Sequence, residues 1–180
     1  GMEKLVAVNP DVKVIPYHLR LTSENIMDVI KDYDFVIDGS DNFPTRYLVN
    51  DACVLSNKPL SHAGILRFDG QAMTILPHKG PCYRCLFRDP PPPGTVPSCQ
   101  EAGILGVVAG ILGIVQATEA LKYILSAGEL LVGKLLVYNA LSMNFRTLEI
   151  RRDKKCPICG EKPSIKKLID YEEFCQLRKK

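Results

Sequence analysis

The chain has 180 residues, enough for one domain or one plus a small appendage, and 46% of them are hydrophobic, enough to bury a core. A net charge of +3 is too small to argue for a nucleic-acid surface. No secretory signal is apparent, so the odd count of seven cysteines favours a reducing, cytoplasmic setting with metal or thiol chemistry over a disulfide framework.

In chain order, "DVKVIPYHLRLT" (11–22) reads as a strand that Pro16 confines to an edge or bulge. "SENIMDVIKDY" (23–33) reads as a helix capped by Ser23, with Ile26, Val29 and Ile30 on one face. "DFVIDGS" (34–40) is a short apolar strand of the kind buried in parallel sheets. A helix follows over 42–58, with Pro44 tolerated in its first turn. In 59–77, Asp69-Gly70 lies between two strand-like runs and signals a hairpin.

The prolines of "RDPPPPGTVPS" lack N–H donors and fix φ, so residues 78–98 are predicted to form an extended loop. A long helix is predicted over 101–128. Its apolar run of about 14 residues is short of the roughly 20 that span a bilayer, so it is expected to be a core helix. Gly103, Gly106, Gly110 and Gly113 form a stripe that permits close packing. Strands at 134–140 and 144–152 precede an amphipathic tail, 164–180, carrying Ile165, Leu168, Ile169 and Phe174. The alternation gives an α/β class, a Rossmann-like mixed sheet with late antiparallel strands. The division expected is a main domain, 1–163, and a helical tail, 164–180.

The strongest chemical signal is Cys82-Tyr83-Arg84-Cys85 together with Cys156-Pro157-Ile158-Cys159. Four thiolates are the complement of a closed tetrahedral zinc site, and four cysteines leave no open position for catalysis. Free thiols or a redox pair are the other readings. Residues 86–155 separate the pairs, so a metal would pin the proline loop to the end of the last strand. His78 is near enough to substitute as a ligand, although a surface histidine explains it equally simply. Ser98-x-x-Glu101 has the form of a capping box that places Cys99 in the first turn of the long helix, where thiols become better nucleophiles; a cysteine that merely starts a helix has the same sequence. Cys53 reads as core, and Cys175 has no visible partner. Asp41 follows the strand at 34–40, either as a magnesium or nucleotide ligand at the sheet's C-terminal edge or as a helix cap shared with Asn42. Asp38 can be the polar end of a buried strand, and Arg46 can pair with either carboxylate.

Together these pieces resemble the ThiF/MoeB/HesA family, bacterial relatives of ubiquitin-activating enzymes. The matching segments are "VIDGSDNFPTRYLVNDAC", "GQAMTILPHKGPCYRC", "SCQEAGILGVVAGILGIVQATEALK" and "FRTLEIRRDKKCPICGEKPSIKKLIDYEEFC", with "NPDVKV" near the start. The resemblance implies an adenylyltransferase that uses Mg-ATP to activate the C-terminal Gly-Gly of a ubiquitin-like sulfur carrier, in thiamine or molybdopterin sulfur transfer. It implies Asp41 as the magnesium-associated carboxylate, with Asn42 and Arg46 beside it at the nucleotide. It implies Cys82, Cys85, Cys156 and Cys159 as structural zinc ligands, and Cys99 as the thiol some members use covalently. Residues 86–98 match the loop that crosses over the carrier's tail, and members are commonly homodimers.

The family's Gly-rich nucleotide loop and phosphate-contacting cations normally precede "NPDVKV". No Gly-x-Gly-x-x-Gly occurs anywhere in the 180 residues. The chain is therefore expected to be an N-terminally truncated portion of the domain, and a non-catalytic carrier-binding scaffold is the alternative function. Neither nucleic acid nor membrane is expected as a partner.

Overall fold

The structure, a computed structural model, describes residues 1–92, 94–97 and 99–176, without the side chains of residues 99, 100 and 176. In chain order the elements are α1 (Met2–Val8), α2 (Ile26–Ile30), β1 (Val36–Asp38), α3 (Phe43–Leu55), β2 (Leu60–Leu66), β3 (Asp69–Ile75), α4 (Tyr83–Leu86), α5 (Cys99–Ala102), α6 (Gly106–Leu125), β4 (Lys134–Asn139), β5 (Asn144–Glu149) and α7 (Tyr171–Gln176). The strands form one sheet in the order β1-β2-β3-β4-β5. β1 runs parallel to β2, and the later pairs are antiparallel, as expected for a mixed sheet.

Side chains alternate across the sheet and build two cores. Leu60, Met73, Ile75 and Leu135 face α2, α3 and α7, forming the larger core with Ile26, Ile30, Leu48 and Tyr171. Ala63, Ala72 and Tyr138 face the other way, against Val108 and Leu112 of α6. Gly70 allows that second contact, because a Cβ there would stand 2.5 Å from the Leu112 side chain. Two buried polar residues tie α6 to the sheet. Gln116 donates to the carbonyls of Asp38 (2.8 Å) and Ser61 (3.0 Å), knitting β1 to β2. Glu119 accepts from the Thr74 hydroxyl (2.5 Å) and the Leu131 amide (2.7 Å).

The structure departs from the sequence expectations in six places. Residues 11–22 form no strand and pair with none of the five strands of the sheet. α2 is capped at Asn25, and the Ser23 hydroxyl donates instead to the Ile169 carbonyl of the tail. β1 is an edge strand, with Ile37 50% exposed. The hairpin turns at Arg67-Phe68, two residues before Asp69-Gly70, with Arg67 at φ 55°. The long helix is interrupted: Gly103, at φ +70°, separates α5 from α6, and Leu105 instead hydrogen-bonds Arg67 at the hairpin turn. Among the described residues of the tail only Tyr171–Gln176 is helical, while Ile165, Leu168 and Ile169 pack on the core from irregular backbone; 177–180 lie outside the described residues.

α6 is long and apolar enough by composition to cross a bilayer, yet it lies on the sheet through Val108, Leu112, Gln116 and Glu119. Its outer side, including Val107, Ile114 and Ile124, is exposed, so it is covered on one face only. Within the chain the glycine stripe packs against neither sheet nor helix: Gly103, Gly106, Gly110 and Gly113 all face open space.

Candidate functional site

Asp41 follows β1 by three residues, at the C-terminal edge of the parallel pair, where open α/β sheets receive ligands. It is exposed and opens into a cleft of about 820 Å3. Asn42, Arg46, Gln71 and Tyr83 also line this cleft, with Phe87, Val96 and Pro97 of the proline loop and Ile65, Leu66 and Val137 of the sheet. Among the described lining residues Arg46 is the only Lys or Arg, against Asp41, Asp69, Asp89 and Glu101.

Hydrogen bonds at the strand end fix the loop that carries Asp41. The Asp38 carboxylate accepts from the Ser40 amide (2.9 Å) and is paired with His62 Nδ1 (2.8 Å), both side chains being 2% exposed. Burial raises the Asp38 pKa, but the His62 and Ser40 hydrogen bonds outweigh it and leave the carboxyl below its usual value. Arg46 pairs with neither carboxylate. Its Nε and Nη2 donate to the Ser40 carbonyl (3.3 and 3.2 Å), and its guanidinium stands 5.5 Å from the Phe43 ring centre. Asn42 is the helix cap, its oxygen accepting from the Thr45 amide (2.9 Å) while its amide donates to Asp41 (3.3 Å). The cap role thus belongs to Asn42 and leaves the Asp41 carboxylate facing the cleft, where its acceptor-only oxygens suit a hard cation.

The four knuckle cysteines converge. Their sulfurs lie within 4.8 Å of one another, with Cys82–Cys156 at 3.6 Å, Cys85–Cys159 at 3.4 Å and Cys82–Cys85 at 4.0 Å. Tetrahedral zinc with bonds of about 2.3 Å sets neighbouring sulfurs about 3.8 Å apart, so the set can hold such an ion. The Asp153 amide donates to the Cys85 sulfur (3.4 Å), as backbone amides do to thiolates. Hydrogen bonds among the four favour the thiolate of Cys85, chiefly through Cys156, and hold Cys156 at about 6, chiefly through Cys159. Gly160 closes the second turn where a Cβ would strike the Cys156 carbonyl at 2.5 Å. His78 is exposed and outside the cluster.

A buried cluster beneath the first knuckle escaped the sequence reading. Arg84, between Cys82 and Cys85, grips Asp51 of α3 through Nε and Nη2, each at 2.8 Å. The Tyr171 hydroxyl of α7 donates to the same carboxylate (2.8 Å), and the Asn50 oxygen accepts from the Tyr83 amide (2.9 Å). The Arg84 guanidinium lies between the rings of Tyr47 (4.6 Å) and Phe174 (4.7 Å). One arginine therefore joins the knuckle, α3 and the tail. Its only sequence signal was a polar pair, Asn50-Asp51, inside the otherwise apolar run 47–55 of α3.

Cys99 begins α5, a four-residue helix, and not the long helix. The helix-dipole argument for its activation accordingly lapses, and Ser98 of the proposed capping box lies outside the described residues. Glu101, two residues on, lines the cleft.

A model of the ThiF family matches residues 2–158. Among curated relatives, the sulfur carrier protein adenylyltransferase of Thermus thermophilus is 53% identical over 183 residues, covering 99% of this chain and 68% of that protein. The SAMP-activating enzyme E1 of Haloferax volcanii is 50% identical, covering 94% and 63%. The probable adenylyltransferase/sulfurtransferase MoeZ of Mycobacterium tuberculosis is 47% identical, covering 96% and 44%. The chain thus spans from 68% to 44% of the length of these three relatives. Among solved structures, E. coli MccB with MccA-N7isoASN superposes at a TM-score of 0.74 with 18% identity, covering 89% of this chain and 50% of that one, a likeness of fold alone.

Proposed function

Because this chain belongs to the ThiF family, we propose that it forms part of an ATP-dependent adenylyltransferase that activates the C-terminal Gly-Gly of a ubiquitin-like sulfur-carrier protein, in thiamine or molybdopterin sulfur transfer. The observation that carries this reading is the cleft, whose largely apolar lining brings Asp41 and Arg46 together with residues of the proline loop. An extended tail of small residues suits such a cleft, with Arg46 the cation available to its carboxylate.

In the reaction, an oxygen of the carrier's terminal carboxylate attacks the α-phosphorus of ATP. The bond to the bridging oxygen breaks, and pyrophosphate leaves with its electron pair. A sulfur donor or thiol then adds to the acyl carbon and expels AMP. The demands on the protein are alignment of the attacking oxygen and neutralisation of phosphate charge. Magnesium, held through Asp41, supplies part of that neutralisation when bound. Asn42 props Asp41, and Arg46 is braced on the Ser40 carbonyl. Zinc in the four-cysteine cluster clamps the base of the proline loop to the segment after β5. Cys99 is the thiol available for a covalent carrier step. The free thiols fit a cytoplasmic setting, and the apolar outer side of α6 fits assembly as a homodimer.

A second reading, a carrier-binding scaffold without turnover, draws on the scarcity of cations among the described residues of the cleft. Magnesium-dependent exchange of labelled pyrophosphate into ATP, stimulated by a ubiquitin-like carrier ending in Gly-Gly, separates the two. Exchange abolished by Asp41→Ala supports adenylation. Carrier binding that is indifferent to ATP, with no exchange, supports the scaffold, and the carrier that responds identifies the pathway.

A further inference from the structure

His62 belongs to no motif, yet it is nearly sealed from solvent at the base of the loop that carries Asp41. β2 places it opposite Asp38 in the parallel register, and the two side chains meet at 2.8 Å. A carboxylate only accepts hydrogen bonds, so the bond requires a proton on Nδ1. Nε2 is buried and has no hydrogen-bond partner among the described residues. The ring's polar function is therefore spent on Asp38. Tyr83, which lines the cleft, packs edge-on over the same ring at 4.6 Å between centres.

From Asp38 a short chain of contacts reaches the cleft. The other carboxylate oxygen accepts the Ser40 amide at 2.9 Å, and the Ser40 carbonyl takes the Arg46 guanidinium. The Ser40 backbone is thus held at two points, by Asp38 at its N–H and by Arg46 at its carbonyl, the latter in the peptide group that leads into Asp41. Asp41 is the next residue. Without a donor at position 62, the buried Asp38 carboxylate has lost one of its charge-assisted bonds and is drawn to reorient toward water, releasing the Ser40 amide.

We propose that His62 is a positioning residue for the Asp41–Arg46 part of the cleft, fixing the Asp38 carboxylate so that the Ser40 backbone holds Asp41 and Arg46 in register. The consequence for nucleotide affinity rests on the reading of the cleft given above; the consequence for the loop does not.

Two substitutions test it. His62→Asn keeps a side-chain N–H near the place of Nδ1, while His62→Leu keeps comparable bulk and removes the donor. Amide hydrogen exchange by NMR reads the Ser40 N–H, with the buried Leu112 of α6 as reference. His62→Leu is expected to lower Ser40 protection by about tenfold, the worth of one charge-assisted hydrogen bond, while Leu112 protection stays unchanged. His62→Asn is expected to retain most of the Ser40 protection. In parallel, Mg-ATP affinity by calorimetry should fall by a similar factor in the Leu variant and recover in the Asn variant. Unchanged Ser40 protection in His62→Leu overturns the role, as does an Asn variant as exposed as the Leu variant. Uniform loss of protection, Leu112 included, also overturns it in favour of a general packing role. If Ser40 responds as expected but wild-type protein binds no Mg-ATP, the positioning of the loop stands and the nucleotide reading alone fails.

Discussion

Replacing Arg84 with methionine tests whether the buried ion pair anchors the knuckle. Arg84 and Asp51 are 1% and 0% exposed, and the guanidinium makes a bidentate contact at 2.8 Å on each carboxylate oxygen. Methionine fills much of the space between Tyr47 and Phe174 and adds no charge. Asp51 then keeps two neutral donors, Asn50 Nδ2 and the Tyr171 hydroxyl, each at 2.8 Å, and loses its counter-charge. Stranding one member of a buried pair costs about 3–5 kcal/mol. At about 2–4 °C per kcal/mol for a chain of this size, Tm should fall by roughly 6–20 °C. Thermal unfolding followed by circular dichroism gives the number directly. The double variant Arg84→Met with Asp51→Leu should recover much of the loss, because no unpaired charge remains. A fall of less than about 2 °C in the single variant, or a double variant no better than the single one, refutes the reasoning.

Cys82→Ser should abolish stoichiometric zinc and lower Tm, read by elemental analysis alongside a melt; an unchanged melt with zinc retained would sink the structural-metal assignment. Thiol reactivity should divide by environment. Burial pushes Cys53 up to about 12 and Cys175 to about 11, so both should alkylate slowly at neutral pH. Peptide mapping after a short iodoacetamide pulse should find Cys99 modified first, and equal rates at the three positions would count against its role as the reactive thiol.

Much of the architecture was legible because its signals are local. Apolar spacing and the Asn42 cap mark α3, alternation marks the sheet, and the two Cys-x-x-Cys turns carry their own meaning at any separation. The misreadings came where a local preference served a distant partner. Asp69-Gly70 looks like a hairpin turn, but Gly70 is small because Leu112 of α6 presses on it, and the chain turns at Arg67-Phe68 instead. The glycine stripe suggested a packing face, whereas the residues that touch the sheet are Val108, Leu112, Gln116 and Glu119. Residues 11–22 alternate like a strand, but a strand requires a neighbour, and pairing is not written in one segment. His62 carries no signal until the register sets it opposite Asp38. Arg84 likewise becomes significant only when the tail folds back over α3.

The central claim is that Asp41 belongs to a Mg-ATP site on this chain, and calorimetric titration of the zinc-loaded protein with Mg-ATP tests it most directly. The account predicts saturable binding that Asp41→Ala removes while Tm stays near that of the wild type, since Asp41 is exposed and Asn42 carries the helix cap. Absence of binding by the folded, zinc-loaded wild type, or equal binding by the Asp41→Ala variant, would contradict it.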